Sequence, residues 1–141
     1  MNKMQQRALH YANTLNDVLQ KTQEIQEDLN PKFQEIKTAL DNDQLVEMAS
    51  SHYLQIQGDF QHGTDEYAKL TQKLAALKAP AKIMGVHLNL VHSYQAYVQA
   101  CQQMIDSMKD DRTVDQEAFK ASELAQDQAT DEMTKCLQRM N

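Results

Sequence analysis

Apolar side chains recur at alternating steps of three and four residues along almost the whole chain, and this spacing limits the fold more than any other feature. The three clearest series occupy residues 4–40, 45–77 and 84–108. A weaker, alanine-rich series follows over residues 114–140. A repeat of about 3.5 residues places one apolar stripe on each of four helices, as in the seam of a left-handed bundle. We therefore expect an all-α fold, an elongated up-down antiparallel four-helix bundle with long helices and short loops.

Short polar or proline-containing segments separate the four series, and little else interrupts the chain. Only three Gly and two Pro occur in 141 residues, and each would be costly inside a helix. The spacing of Thr113 and Gln116 predicts a capping box for the last helix. Turns are predicted at 41–43, 78–80 and 109–113. The chain is thus expected to form a single domain over residues 1–141, with helices at about 3–40, 43–78, 80–109 and 113–140.

Pro31 leaves two interpretations of the first helix. Asn30 and Pro31 together favour a helix start, with Asn as the cap and Pro in the first turn. The apolar stripe nevertheless runs through this point from Leu29 to Phe33. We favour a kink or a one-residue interruption in a single long helix, because the second stripe can then align with the whole of the first, and Leu29 faces Ile56.

The net charge of −6 restricts the range of partners. An acidic surface repels phosphate groups, so neither nucleic acid nor an anionic membrane is an expected partner. No stretch approaches the length of about 18 apolar residues that indicates a transmembrane helix. The beginning of the chain is too polar for the core of a signal peptide, which favours a cytoplasmic location unless such a signal has been removed.

The two cysteines, Cys101 and Cys136, are expected to be free thiols. They belong to different stripes and fall roughly 20 Å apart along the bundle axis. A disulfide requires Cα atoms within about 7 Å of each other. Free thiols are typical of a reducing compartment.

Three polar or reactive side chains, Tyr11, His87 and Cys136, fall in one predicted core layer. A cysteine beside a histidine could form an activated thiolate. However, no Gly-rich nucleophile turn or oxyanion hole accompanies the pair. We therefore expect a buried histidine that is hydrogen-bonded to the Tyr11 hydroxyl, with no catalytic residue and no cofactor.

Two further patterns bear on ligands. Asp59, His62 and Glu66 lie on one side of a helix and are the best candidate for a metal site. No second set of ligands completes this site, and a solvated polar face is the simpler interpretation.

Gly63 falls on the second stripe in a thinly filled layer with Thr22. Gly63 either lets two helices approach closely, which we favour, or leaves a mid-bundle cavity for a small ligand.

Apolar residues also lie outside the stripes. The third helix carries a second apolar row that includes Tyr97 and Met104, as expected of a central helix or of one that covers a partner. In the fourth helix, Phe119 and Leu124 lie off the weak alanine stripe. These two residues form either an interaction surface for another chain or the true packing face of the helix.

The segment from Ala79 to Met108 resembles uncharacterised helical proteins of Gram-positive bacteria. The features that carry this resemblance are Pro80, His87 with Leu90, and the aromatic steps Tyr94 and Tyr97. In those proteins a proline after one long helix opens a second helix with an inward histidine. The resemblance covers about a third of the chain and implies a helical hairpin and no activity. Some of these proteins are exported.

The sequence therefore favours a non-enzymatic helical-bundle interaction module, with another protein or a second copy of the chain as its partner. The alternative is a small-molecule or metal-binding bundle, centred on the Gly63 layer or on Asp59, His62 and Glu66. A thiol enzyme that uses Cys136 and His87 is the least favoured interpretation.

Overall fold

Four long helices account for most of the chain in the computed structural model, which describes residues 1–141. They are α1 (Lys3–Asp41), α2 (Ser50–Ala75), α3 (Met84–Ser107) and α4 (Gln116–Arg139). Short connections place consecutive helices side by side and antiparallel, and the predicted all-α four-helix bundle is confirmed. None of the helices combines the length and the apolar character that crossing a membrane requires.

The first helix continues through Pro31 as one element of 39 residues. Asn2 caps it, and the Asn2 and Gln5 side chains bond each other's backbone N–H groups in a capping box. At 1.5 Å per residue the helix is about 58 Å long. No separate helix begins at Pro31, so α1 is one continuous helix.

The second helix begins at Ser50, well after the predicted residue 43. A 3-10 turn at Leu45–Glu47 and an extended Met48 occupy the intervening chain. The Arg112 guanidinium holds this connection, because it donates hydrogen bonds to the carbonyls of Val46 and Met48 at 2.9 and 2.7 Å. The longer connection changes the register between α1 and α2, and Leu29 approaches Gly63 instead of the predicted Ile56.

The buried face of α2 also differs from the prediction at its first turn. His52, seven residues after Leu45, falls on the apolar series predicted over residues 45–77, yet it is exposed and pairs with Glu35 at 2.7 Å. Tyr53 is completely buried instead, and its hydroxyl donates to the Lys109 carbonyl at 2.7 Å. A tyrosine ring removes more apolar surface from water than an imidazole does, so the tyrosine occupies the core.

Over the first half of α4, the face that packs on the bundle is not the predicted alanine stripe. Phe119 is only 2% exposed and stacks on Phe33 with ring centroids 6.0 Å apart. Leu124 is 59% exposed and Ala121 faces solvent. Phe119 therefore belongs to the core, so the packing-face alternative is correct for this residue and the interaction-surface alternative is wrong. The helix also starts at Gln116, because Asp115 rather than Thr113 caps it.

The buried apolar side chains form two clusters, one toward each end of the bundle. We call them the Tyr94 cluster and the Tyr53 cluster. The Tyr94 cluster contains Tyr11, Leu15, Val18, Tyr67, Leu70, Leu74, Ala79, Leu90, Val91, Tyr94, Tyr97, Cys101, Ala129, Met133 and Cys136. The Tyr53 cluster contains Ile36, Leu40, Leu45, Tyr53, Ile56, Phe60, Met104, Ile105, Met108 and Phe119.

Candidate functional site

A cavity of about 280 Å³ lies where the two clusters meet. It forms because α4 packs closely on α3 along its length, whereas α4 and α1 have almost no close backbone contact. The opening is between α1 and α4. Its walls are mainly aromatic and apolar side chains, five from the two clusters and one, Phe33, packed against the Tyr53 cluster. They are Phe33, Phe60, Tyr67, Tyr97, Met104 and Ile105.

The aromatic wall is ordered by contacts between its own rings. Tyr67 and Tyr97 meet edge to face, with centroids 5.1 Å apart. The Tyr97 hydroxyl accepts a hydrogen bond from Gln26 Nε2 at 3.1 Å. Burial raises the pKa of Tyr97 to about 12 and raises the pKa of Tyr67 still further. Both phenols are therefore neutral hydrogen-bonding groups at neutral pH.

Cys101 contributes a thiol to the same wall. It is free and buried, as is Cys136, which agrees with the prediction of two free thiols. Burial raises the pKa of the Cys101 thiol to about 12. A thiolate is the reactive form of cysteine, so at neutral pH this side chain acts as a small apolar group.

The mouth of the cavity is polar and acidic. Glu123 and Asp127 on α4 are the only charged residues that line it. Glu123 is held by Lys37 of α1, with Nζ and Oε2 2.7 Å apart. Gln126 lies between them and directs its Nε2 toward the Met104 sulfur at 3.6 Å. The site thus combines an apolar interior with a mouth that carries carboxylate and amide groups.

Of the predicted Tyr11–His87–Cys136 layer, Tyr11 and His87 meet at one end of the bundle, about 22 Å along α1 from the mouth of the cavity. Cys136 belongs to the same apolar cluster as Tyr11. Tyr11 Oη and His87 Nδ1 are 2.8 Å apart, which is the hydrogen bond that the sequence predicts. All three side chains are buried. Burial lowers the pKa of His87 below its ordinary value and keeps the imidazole neutral. A neutral histidine gives Cys136 no positive charge that would stabilise a thiolate.

The neutral state of His87 predicts a loss of stability in mild acid. The unfolded chain binds a proton at His87 with a pKa near 6.5, whereas the folded chain resists that proton. The free energy of unfolding should therefore fall as the pH drops through about 6.5 toward the lower folded-state pKa. Urea denaturation at pH 8 to 5 measures this. H87Q should flatten the dependence, and H92Q, at an exposed position on the same helix, should not. Equal slopes in H87Q and the parent would contradict the assignment.

The residues of the candidate metal site lie along one surface depression between α1 and α2. Asp59 pairs with Lys32 of α1 at 3.2 Å, and Glu66 pairs with Lys69 at 3.2 Å. His62 is exposed. No three His, Cys, Asp or Glu side chains in the chain converge as metal ligands would. Asp59, His62 and Glu66 therefore do not form the candidate ligand set.

Gly63 provides the close helix approach that the sequence favours. A methyl group added at this residue would lie 2.6 Å from Leu29 Cδ1 and 3.2 Å from Ile25 Cγ2. The cavity is therefore displaced from the Gly63 layer, toward Tyr97 and Cys101. The mid-bundle cavity that the sequence offered as an alternative at Gly63 thus lies elsewhere, beside Tyr97 and Met104 of the second apolar row on α3.

Taken together, the cavity offers apolar surface, neutral phenol and thiol groups, and acceptors at its mouth. These groups suit the retention of a molecule by burial and hydrogen bonding. Comparisons with known protein families, with curated proteins and with solved structures give no match to this chain.

Proposed function

We propose that this bundle is a binding protein that holds a small organic molecule in the cavity between α1 and α4. The observation that carries the proposal is the division of the core into two clusters with a cavity of about 280 Å³ at their junction. An engineered cavity of about 150 Å³ with apolar walls is large enough to bind benzene. The space here suits a molecule with one ring and a short substituent.

The composition of the walls supports this proposal. Phe60 and Tyr67 from α2 face the cavity together with Tyr97 from α3. Side chains that border a void lose dispersion contacts on that side. A ligand that restores these contacts would add apolar packing to both clusters at once, and the folded chain would gain stability in proportion to its occupancy.

A variant that fills the cavity tests the proposal. Thr64 is buried and lines the cavity from α2, so T64L should place a larger apolar side chain in the space that a ligand would use. We expect benzene and indole to raise the melting temperature of the parent chain. We expect their binding, measured by ligand-observed NMR, to be at least about tenfold weaker in T64L.

T130L is the matched control, because Thr130 is exposed on α4 and does not line the cavity. Circular dichroism establishes that both variants remain helical. Failure of every neutral aromatic probe to bind the parent chain, or equal binding by the parent and T64L, would count against a ligand site in this cavity.

A second candidate function is interaction with another protein, which the exposed apolar side chains at one end of the bundle favour. The inward stripes of α1 and α3 extend beyond the buried core there, and Met4 and Met84 are 78% and 46% exposed. Apolar side chains of this kind can pack on another protein or on a second copy of the chain. Sedimentation that shows a monomer at every concentration would argue against self-association.

The two buried free thiols support a reducing, cytoplasmic location.

A further inference from the structure

We infer that the cavity selects small amphipathic amines, which place an apolar body inside and a protonated nitrogen at the mouth beside Asp127. This inference rests on the proposed ligand-binding function. The apolar walls account for the body of such a molecule. The arrangement of charges and acceptors at the mouth accounts for its cationic end.

The charge at the mouth is only partly compensated within the chain. Lys37 makes its ion pair with Glu123, at 2.7 Å. Asp127, one turn further along α4, is exposed and makes no ion pair. One carboxylate therefore remains available at the opening. An anionic ligand would be repelled there, whereas a cation would gain an oppositely charged partner beside a low-dielectric interior.

The two amide groups at the mouth, like the carboxylate, present hydrogen-bond acceptors. Gln26 uses its Nε2 to donate to the Tyr97 hydroxyl, and Gln126 directs its Nε2 to the Met104 sulfur. Both Oε1 atoms remain without a donor from the chain, so the mouth presents acceptors. A primary ammonium carries three donors and no acceptor, which matches a mouth composed of carboxylate and amide oxygens.

The interior excludes a competing cation from the chain itself. No Lys, Arg or His lines the cavity. At the mouth, Lys37 Nζ already lies 5.7 Å from the centroid of the Phe33 ring. Tyr97 is therefore the aromatic residue that can add a cation–π contribution to an ammonium ligand. The electrostatic preference for a cation and the apolar interior therefore act on the same ligand.

A matched series of ligands tests this selectivity. The series comprises 2-phenylethylamine, 2-phenylethanol and 3-phenylpropionate, which share a ring and differ in charge. Isothermal titration calorimetry at pH 7 and low salt should give an amine affinity about tenfold higher than that of the alcohol, with the carboxylate weakest. Added salt should weaken the binding of the amine and leave that of the alcohol almost unchanged.

Two variants test whether the preference for the amine depends on the charge of Asp127 at the mouth. D127N keeps the shape of the side chain and removes its charge, so the amine should bind D127N about as weakly as the alcohol binds the parent. D131N is the control, because Asp131 is exposed one turn further along α4 and does not line the cavity. It should retain the tenfold preference.

The outcomes separate this inference from the proposed function. Binding of all three ligands with equal affinity, abolished by T64L, would overturn the selectivity while supporting the cavity as a ligand site. Binding of none of them would overturn both. An amine preference that persists in D127N would place the selectivity elsewhere and overturn the role of Asp127.

Discussion

Replacing Phe119 with alanine is expected to lower the free energy of unfolding by about 3–5 kcal/mol. The ring is almost completely buried, stacks on Phe33 and belongs to the Tyr53 cluster. Alanine would leave a void between α1 and α4, where the Phe119 ring stacks on Phe33. Denaturation by urea, followed by circular dichroism, measures the change, and the slope with denaturant shows whether unfolding remains two-state.

Leu124 provides the control on the same helix. Its side chain is mostly exposed, so L124A should change the free energy of unfolding by less than about 0.5 kcal/mol. Comparable losses in F119A and L124A would mean that α4 is rotated from the orientation described above. A stable F119A with an altered oligomeric state would restore Phe119 to an interaction surface.

Replacing Tyr53 with alanine is expected to have a similarly large effect, again about 3–5 kcal/mol. Tyr53 has no exposed surface, and its hydroxyl bonds the Lys109 carbonyl beyond the end of α3. Truncation would remove the apolar contacts and the hydrogen bond from the hydroxyl, and the carbonyl would keep only its 3.2 Å bond from the Arg112 N–H. Y53F should cost about 1 kcal/mol, because it removes the hydrogen bond alone.

His52 is the neighbouring control for this prediction. H52A removes only an exposed pair with Glu35, and pairs of this kind contribute less than about 1 kcal/mol. The ratio of the two losses, measured at pH 7 by chemical denaturation, reports which residue faces the core. A larger loss in H52A than in Y53A would support the stripe predicted from the sequence.

The buried faces of α2 and α4 were predicted wrongly for the same physical reason. In α4, residues 115, 119, 122, 126, 129, 133 and 136 repeat at steps of three and four just as the alanine stripe does. The two series differ by one position over the first half of the helix and merge at Ala129. Spacing alone therefore cannot choose between them, and the choice depends on the area that each would bury, which favours Phe119 over a row of alanines.

The helix count and order were accessible from the sequence, because a repeat of about 3.5 residues has few alternatives. The register between α1 and α2 was not, since it depends on the connection at 42–49. Arg112, a residue distant in sequence, holds that connection through backbone carbonyls. The register then decides that Lys32 meets Asp59, so one of the three candidate metal ligands is paired with a lysine.

The cavity depends on a quantity that no single stripe encodes, the separation of α1 from α4. Tyr97 and Met104 could be identified as central, because they form a second apolar row on α3. Their exposure to a cavity, and the position of Asp127 at its mouth, follow only from the rotation of α4 about its axis. That rotation was the feature that periodicity left undetermined.

The division of the core has a consequence for cooperativity. Each of the four helices contributes buried residues to both clusters, so helical backbone rather than a flexible linker joins the two ends. A helix that loosens in one cluster must fray toward the other, since each hydrogen-bonded turn supports the next. The two ends are therefore coupled in folding even where their side chains do not touch, and a molecule lodged between them would strengthen that coupling without altering either end.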